Sequence, residues 1–406
     1  MSKVTKAVLA VALTVIIASF GFIGGFVSSR LVPADSFEHI GLGASESTAA
    51  ARVDEVLALM NSRALVPPSD TSATAGSVQG LLSSMGDKYA TYFDAEQYKS
   101  FNEVSMGSFG GIGVVVGEKG KTSYAVEVYA GTPAAKAGVK AGDVFLVIAG
   151  KRRDNWQTKQ VVKLVRGDIG TKVTITFLRP STAKGAAPDA GVEKTFTITR
   201  AQINYPNLKT EMIGKVGYLR LGQFNGNAAG DIKKGITSLT KRGATSLVLD
   251  LREDPGGLLQ EAVDVSSLFI QSGVIVRVDE RGKSEEVLRA RNTKMTDLPL
   301  VVLIDANSAS ASEITGGALQ DYGRATLVGV TSYGKGSVQT VRQLSNGGAV
   351  KFTIAHYLTP KSRVINGKGL TPDVIVKMDP LKQIKRSTDT QLAKALQIAN
   401  SKAAGN

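Results

Sequence analysis

The sequence predicts an α/β chain: a core of apolar strands alternating with helices, preceded by a smaller strand-rich module and a short helical region. Three observations carry this. From residue 201 onward, short apolar runs at 215–221, 246–251, 274–278, 300–304 and 326–330 alternate with helical stretches near 228–241, 258–269 and 310–320, the pattern of a sheet with covered faces. Between 106 and 200, strands near 125–129, 144–148 and 172–177 enclose only two short helices, a compact β-rich unit. The chain has 406 residues, 43% of them hydrophobic, enough for two to three cored domains and too apolar to be disordered as a whole.

Taken in order, Lys3 and Lys6 precede an uncharged stretch, 7–29, closed by Arg30. At about 1.5 Å per residue it is long enough to cross a hydrocarbon core of about 30 Å, and the leading positive charges place the remainder outside the cytoplasm. Residues 1–30 are therefore expected to be a membrane anchor or signal segment. That makes a single-pass membrane protein with its bulk outside, or a secreted or periplasmic one if the segment is cleaved. Residues 31–50 form a linker and 51–105 a helical region, where Val53, Val56, Leu57 and Met60 recur at helical spacing. The strand-rich module spans 106–200, the α/β core 201–379, and a C-terminal helix and tail 380–406.

Composition excludes several chemistries. There is no cysteine, so disulfides, thiolate metal sites and a cysteine nucleophile are impossible. Only His39 and His356 are present, which rules out a three-histidine metal site. No metal or cofactor is expected. The net charge of +14 is spread along the chain without aromatic interleaving, which favours an anionic lipid surface over nucleic acid.

Three segments at strand ends could hold chemistry. The first, Asp250 to Leu258, contains Asp254-Pro-Gly-Gly257. The second, Asn307 to Glu313, reads Asn-Ser-Ala-Ser-Ala-Ser-Glu at the start of a helix. The third, Ser332 to Gln339, holds Lys335 between Gly334 and Gly336. A serine at a helix mouth lies beside unpaired N–H groups that can hold an oxyanion, although serine there is usually only a cap. Position alone does not choose among Ser308, Ser310 and Ser312. A serine nucleophile needs a base. His356 reads as an ordinary strand histidine, leaving Lys335, which must be desolvated to be neutral near pH 7. Gly329 to Lys335 imitates a phosphate-binding loop, but Gly336 stands where Ser or Thr would hold magnesium. Ser332-Tyr-Gly-Lys335 imitates the Ser-x-x-Lys of penicillin-binding enzymes, without their other motifs.

With these residues in view, the chain from about residue 50 onward resembles the C-terminal processing peptidases, or tail-specific proteases. Ser308-Ala-Ser-Ala-Ser-Glu-Ile314, Gly334-Lys-Gly-Ser-Val-Gln339 and Asn366-Gly-Lys-Gly-Leu-Thr-Pro-Asp373 carry the likeness. The resemblance implies a crotonase/ClpP-like α/β protease core with an inserted PDZ-like domain. It implies Ser310 as nucleophile, Lys335 as base and Gln339 as the residue that positions the lysine. Ala311 and either Gly256 or Gly257 would form the oxyanion hole. In the module, Phe109, Gly110, Gly111, Ile112 and Gly113 would receive a chain terminus, and Arg166 would sense it. Two positions depart from the family pattern, Asp254 in place of Asn and Val330 in place of Glu.

The expected activity is endopeptidase cleavage near the C-termini of exported or membrane proteins. The expected partners are protein tails, membrane lipid, a second copy of the chain and an adaptor. Two rivals are a membrane-tethered PDZ scaffold that grips tails without cutting them, and a penicillin-binding-type acyl enzyme using Ser332.

Overall fold

The computed structural model describes residues 48–120, 122–181, 190–378 and 386–405. The expected anchor at 1–30, most of the linker, the loop after residue 181 and part of the tail lie outside these residues.

The chain divides into two units, 1–81 and 82–406. In the first, α1 (Thr48–Arg63) presents Val53, Val56, Leu57 and Met60 along a groove shared with Ala73 of α2 (Asp70–Ser83). The predicted second helix at 75–85 is the same element begun five residues earlier, at Asp70.

The second unit opens with β1 (Thr91–Phe93) and α3 (Ala95–Met106). Asp94 caps α3 in a reciprocal box with Gln97, Oδ1 accepting the Gln97 N–H at 2.8 Å. The strand-rich module follows as β2 (Ser108–Gly111), β3 (Val114–Lys119), β4 (Thr122–Val128), α4 (Pro133–Ala137), β5 (Val144–Ile148), β6 (Lys151–Arg152), α5 (Thr158–Val165), β7 (Lys172–Pro180), β8 (Gly191–Thr199) and β9 (Ala201–Asn204). Its main sheet is antiparallel, in the order β3-β4-β5-β7-β8. Strand alternation sorts β7: Val173, Ile175 and Phe177 point into the module core, while Thr174 and Thr176 face out and bond Thr197 and Thr195 on β8. β2 pairs with β9 as a separate ribbon.

The core comprises β10 (Leu208–Ile213), β11 (Val216–Leu221), α6 (Ala228–Lys241), β12 (Ser246–Asp250), α7 (Leu259–Ser267), β13 (Val274–Glu280), β14 (Glu286–Arg289), β15 (Leu300–Ile304), α8 (Ala311–Asp321), β16 (Ala325–Gly329), β17 (Ser337–Gln343), β18 (Ala349–Leu358), β19 (Val374–Ile375) and α9 (Thr390–Ala404). Six strands form a sheet in the order β10-β11-β12-β15-β16-β19, parallel from β11 onward. Its strands read as unbroken apolar runs because both faces are covered. Leu247, Leu249, Leu300, Val302 and Ile304 pack under α6, α7 and α8, while Val248, Val301 and Leu303 pack on α9.

Two expectations are corrected here. The predicted core placed all the apolar strands in one sheet under a crotonase/ClpP-like label. β13 instead pairs antiparallel with β14 and β18, in a second sheet ordered β1-β18-β13-β14 with β17 beside β18. The core is a mixed α/β fold built on two sheets, and nothing in it calls for that label. No helix among the described residues is long and apolar enough to cross a membrane. The expected single-pass topology, cell-membrane location and lipid partner therefore lack a spanning element in the structure, and the stretch 7–29 on which they rested lies outside the described residues.

A buried ionic network fastens α9. The Arg252 guanidinium, 1% exposed, bonds Asp250 Oδ2 at 2.6 Å and Asp389 Oδ2 at 2.9 Å. Asp389 also caps α9 through the Leu392 N–H at 2.8 Å. Removing Asp389 leaves Arg252 paired with Asp250 but takes the acceptor from two guanidinium hydrogen bonds and from the Leu392 N–H, at about 1–3 kcal/mol for each buried group left unpaired. Asp389→Ala is expected to lower the urea midpoint accordingly, and an unchanged midpoint would refute this role for the network.

Candidate active site

Strands β12 and β15 run side by side and end level, so the loops that follow them meet. After β15, Asp305 Oδ1 accepts the N–H groups of Asn307 and Ser308 at 3.0 Å and that of Glu253 at 3.1 Å, which locks the two loops together. The three serines then separate by environment. Ser308 is buried, its hydroxyl donating to Leu251 O at 2.7 Å. Ser312 is buried, donating to Asp254 O at 3.0 Å. Ser310 alone is partly exposed, in a cleft of about 540 Å³. It stands just ahead of α8 with φ +53°, a conformation that strains a residue with a Cβ and is kept only where its surroundings enforce it.

The Asp-Pro-Gly-Gly turn presses against that serine. A Cβ on Gly256 would lie 2.5 Å from Ala309 O and 2.7 Å from Ala311 N, so no side chain fits. The Gly256 N–H is already spent on Asp254 Oδ1 at 2.8 Å. The N–H groups of Gly257 and Ala311 donate to no protein acceptor among the described residues. Between the two candidate glycines, the free donor is Gly257.

Lys335 reaches the same cleft from the loop before β17. Burial, reinforced by the positive charge of Lys351, holds its amine below the ordinary lysine pKa, against an opposing pull from Glu313. Its flanking glycine has a packing cause: a Cβ on Gly336 would lie 2.4 Å from Asn366 N. Its Nζ stands 5.0 Å from the Tyr89 ring centroid and makes no hydrogen bond to Ser310. Gln339 also lines the cleft, but its amide bonds Ser337 Oγ at 2.8 Å and Ser337 O at 3.1 Å rather than Lys335.

Glu313 is the residue that sequence reasoning quoted and gave no role. It is 1% exposed. Its carboxylate accepts the N–H of Ser310 at 2.8 Å, the Ser332 hydroxyl at 2.6 Å, and the N–H groups of Gly334 at 2.7 Å and Lys335 at 2.9 Å. One side chain thus ties the serine turn to the lysine loop. The available signal was the Ser-x-x-Glu spacing of Ser310 and Glu313, a capping-box pattern. Ser332, the rival nucleophile, is buried, with its oxygen also accepting the Leu370 N–H at 2.7 Å. His356 sits in β18 with Nδ1 3.4 Å from Gly336 O. No cluster of metal-ligating side chains occurs among the described residues.

In the module, Phe109 to Gly111 is a paired strand rather than an open loop. The Ile112 and Gly113 N–H groups beyond it have no protein acceptor among the described residues. β3, which follows, is an edge strand with α5 packed beside it. Arg166, at the end of α5, lies over the Phe109 ring at 4.2 Å and bonds Glu103 of α3 at 3.0 Å and Tyr205 at 2.8 Å.

Comparisons with known proteins relate the chain to a family. Residues 215–376 match peptidase family S41, and 124–179 match a PDZ domain. A probable CtpA-like serine protease of Staphylococcus epidermidis is 34% identical over 344 residues, covering 84% of this chain and 68% of the relative. One from Staphylococcus aureus is 34% identical over 339 residues, with 83% of this chain matched. The match covers only 66% of the length of that relative. A photosystem II D1 C-terminal processing protease aligns over 82% of this chain and 94% of its own, at 26% identity and TM-score 0.47. An α/β core with an inserted PDZ domain defines the class, a PDZ-bearing serine peptidase. The chain belongs to the CtpA-like serine proteases of peptidase family S41.

Proposed function

We propose that this protein is a serine endopeptidase that cuts polypeptides near their C-termini, with Ser310 as nucleophile and Lys335 as general base. The observation that carries this is the convergence in one cleft of an accessible strained serine, two unclaimed N–H groups and a lysine amine of lowered pKa. Neutral Lys335 takes the Ser310 proton as Oγ attacks the peptide carbonyl. The N–H groups of Ala311 and Gly257 hold the oxyanion. The lysine returns the proton to the leaving amine, then activates water to release the acyl group. Because Lys335 and Gln339 are not engaged in this structure, both side chains must turn toward Ser310 on substrate binding. Gln339 then orients the amine.

Tails dock by strand addition on the β3 edge, with the terminal carboxylate on the Ile112 and Gly113 N–H groups beyond Phe109, Gly110 and Gly111. Arg166 links this groove to α3, whose Tyr98, Phe101 and Met106 also line the cleft. The test is an internally quenched peptide with an apolar C-terminus, as free acid and as amide. The free acid is expected to be cleaved about tenfold faster in kcat/KM, roughly 1.4 kcal/mol. Equal rates would remove tail docking from the mechanism. Binding of the free acid without cleavage at any enzyme concentration would remove the enzyme.

A further inference from the structure

The buried ionisable group that this mechanism leaves unused is Asp254. Its side chain is fully enclosed, at 0% exposure. Oδ1 accepts the Gly256 N–H at 2.8 Å, while Oδ2 has no hydrogen-bond partner among the described residues. The main-chain oxygen of the same residue accepts the Ala309 N–H at 3.0 Å and the Ser312 hydroxyl at 3.0 Å. Asp254 therefore joins the glycine turn to the start of α8, the two pieces that supply the free N–H groups of Gly257 and Ala311.

We propose that Asp254 is a positioning residue for the oxyanion site and acts as the neutral acid. In that form it keeps the Gly256 N–H turned inward and the Gly257 N–H turned out. It also places no negative charge beside the oxygen that becomes an oxyanion. This rests on the function proposed above.

Among the described residues, no charged group is available to neutralise an ionised Asp254. On its own loop, Arg252 is held by Asp250 and Asp389, and Glu253 is held by Asn307. From the loop after β15, Asp305 presents another carboxylate, already accepting three N–H groups. From α8, Ser312 faces the carboxyl, and Glu313 is committed to the serine turn and the lysine loop. Burial without a cation pushes the Asp254 pKa from 3.8 up to about 7, against weaker opposing pulls from the Gly256 N–H and the Ser312 hydroxyl.

The consequences for pH have a definite sign. Below the unfolded value of 3.8 both folded and unfolded chains hold the proton. From there to about 7 the unfolded chain gives it up first, so this group's contribution to stability falls as pH rises. Above about 7 the loss is complete. The active form needs Lys335 neutral and Asp254 protonated, so activity should follow a bell whose alkaline limb disappears when residue 254 cannot ionise.

The experiment measures kcat/KM for the free-acid peptide from about pH 5 to 10 on wild type, Asp254→Asn and Asp254→Ser, alongside urea midpoints over the same range. Both variants retain an acceptor for the Gly256 N–H and cannot ionise. Wild type is expected to lose up to about tenfold in kcat/KM per pH unit along its alkaline limb, while each variant, scaled to its own maximum, shows no such limb. The wild-type midpoint is expected to fall between about pH 4 and 7 more than either variant's. An alkaline limb that persists at the same pH in both variants, or is absent from wild type, overturns the proposal. Identical midpoint profiles also overturn it. No hydrolysis at any pH overturns the endopeptidase reading instead, and the midpoints still decide whether Asp254 is held protonated.

Discussion

Ser310→Ala is expected to abolish labelling by a fluorophosphonate probe and to lower kcat by about 10⁴–10⁶-fold. The physical reason is specific to this serine. Ser308 and Ser312 are buried with their hydroxyls donated to main-chain carbonyls, so neither can take over. The loss should leave folding nearly intact, because Ser310 reaches the cleft and its strained φ is held through its main-chain N–H on the Glu313 carboxylate rather than through its hydroxyl. The urea midpoint of the variant should match wild type or exceed it. Lys335→Met should lower kcat to a similar floor, since nucleophile and base act as one unit and their effects do not add. Equal labelling of wild type and Ser310→Ala would remove Ser310 as nucleophile.

Glu313→Ala is expected to lose both activity and stability, which distinguishes it from Ser310→Ala. The carboxylate holds the Ser310 N–H on one side and the Gly334 and Lys335 N–H groups on the other. Without it, those donors and the Ser332 hydroxyl lose their buried acceptor. Each unpaired buried group costs about 1–3 kcal/mol, so a loss of at least about 3 kcal/mol should appear as a lower urea midpoint. The serine turn and the lysine loop would then drift independently. A displacement of about 1 Å between reacting groups costs about 100-fold in rate. Glu313→Gln, which keeps two acceptor sites on its carbonyl oxygen and adds donors, should fall between wild type and alanine in both measures. Wild-type activity in Glu313→Ala would show that the two loops are held by other contacts.

Much of the architecture is legible in the sequence. Val248 between Leu247 and Leu249, or Val301 and Leu303 among Leu300, Val302 and Ile304, is an apolar run with no polar face. Such a run requires cover on both sides, and α9 supplies the second cover. The placement of β13 was not legible. An apolar strand carries no mark of which sheet it joins, and the partner that decides it, β18, lies about eighty residues away.

The sequence by itself determined the family, the chemical repertoire and the segments that hold it. Those follow from residue types and short spacings: no cysteine, a serine run at a helix start, a lysine between glycines, a Pro-Gly-Gly turn. The tertiary structure alone decided which serine is accessible, which glycine N–H is free, and that Glu313 and Asp254 stand behind the site. Burial and hydrogen-bond competition are properties of a position among its spatial neighbours. Glu313 meets Lys335 across 22 residues of chain and Ser312 meets Asp254 across 58, and no local pattern encodes either meeting.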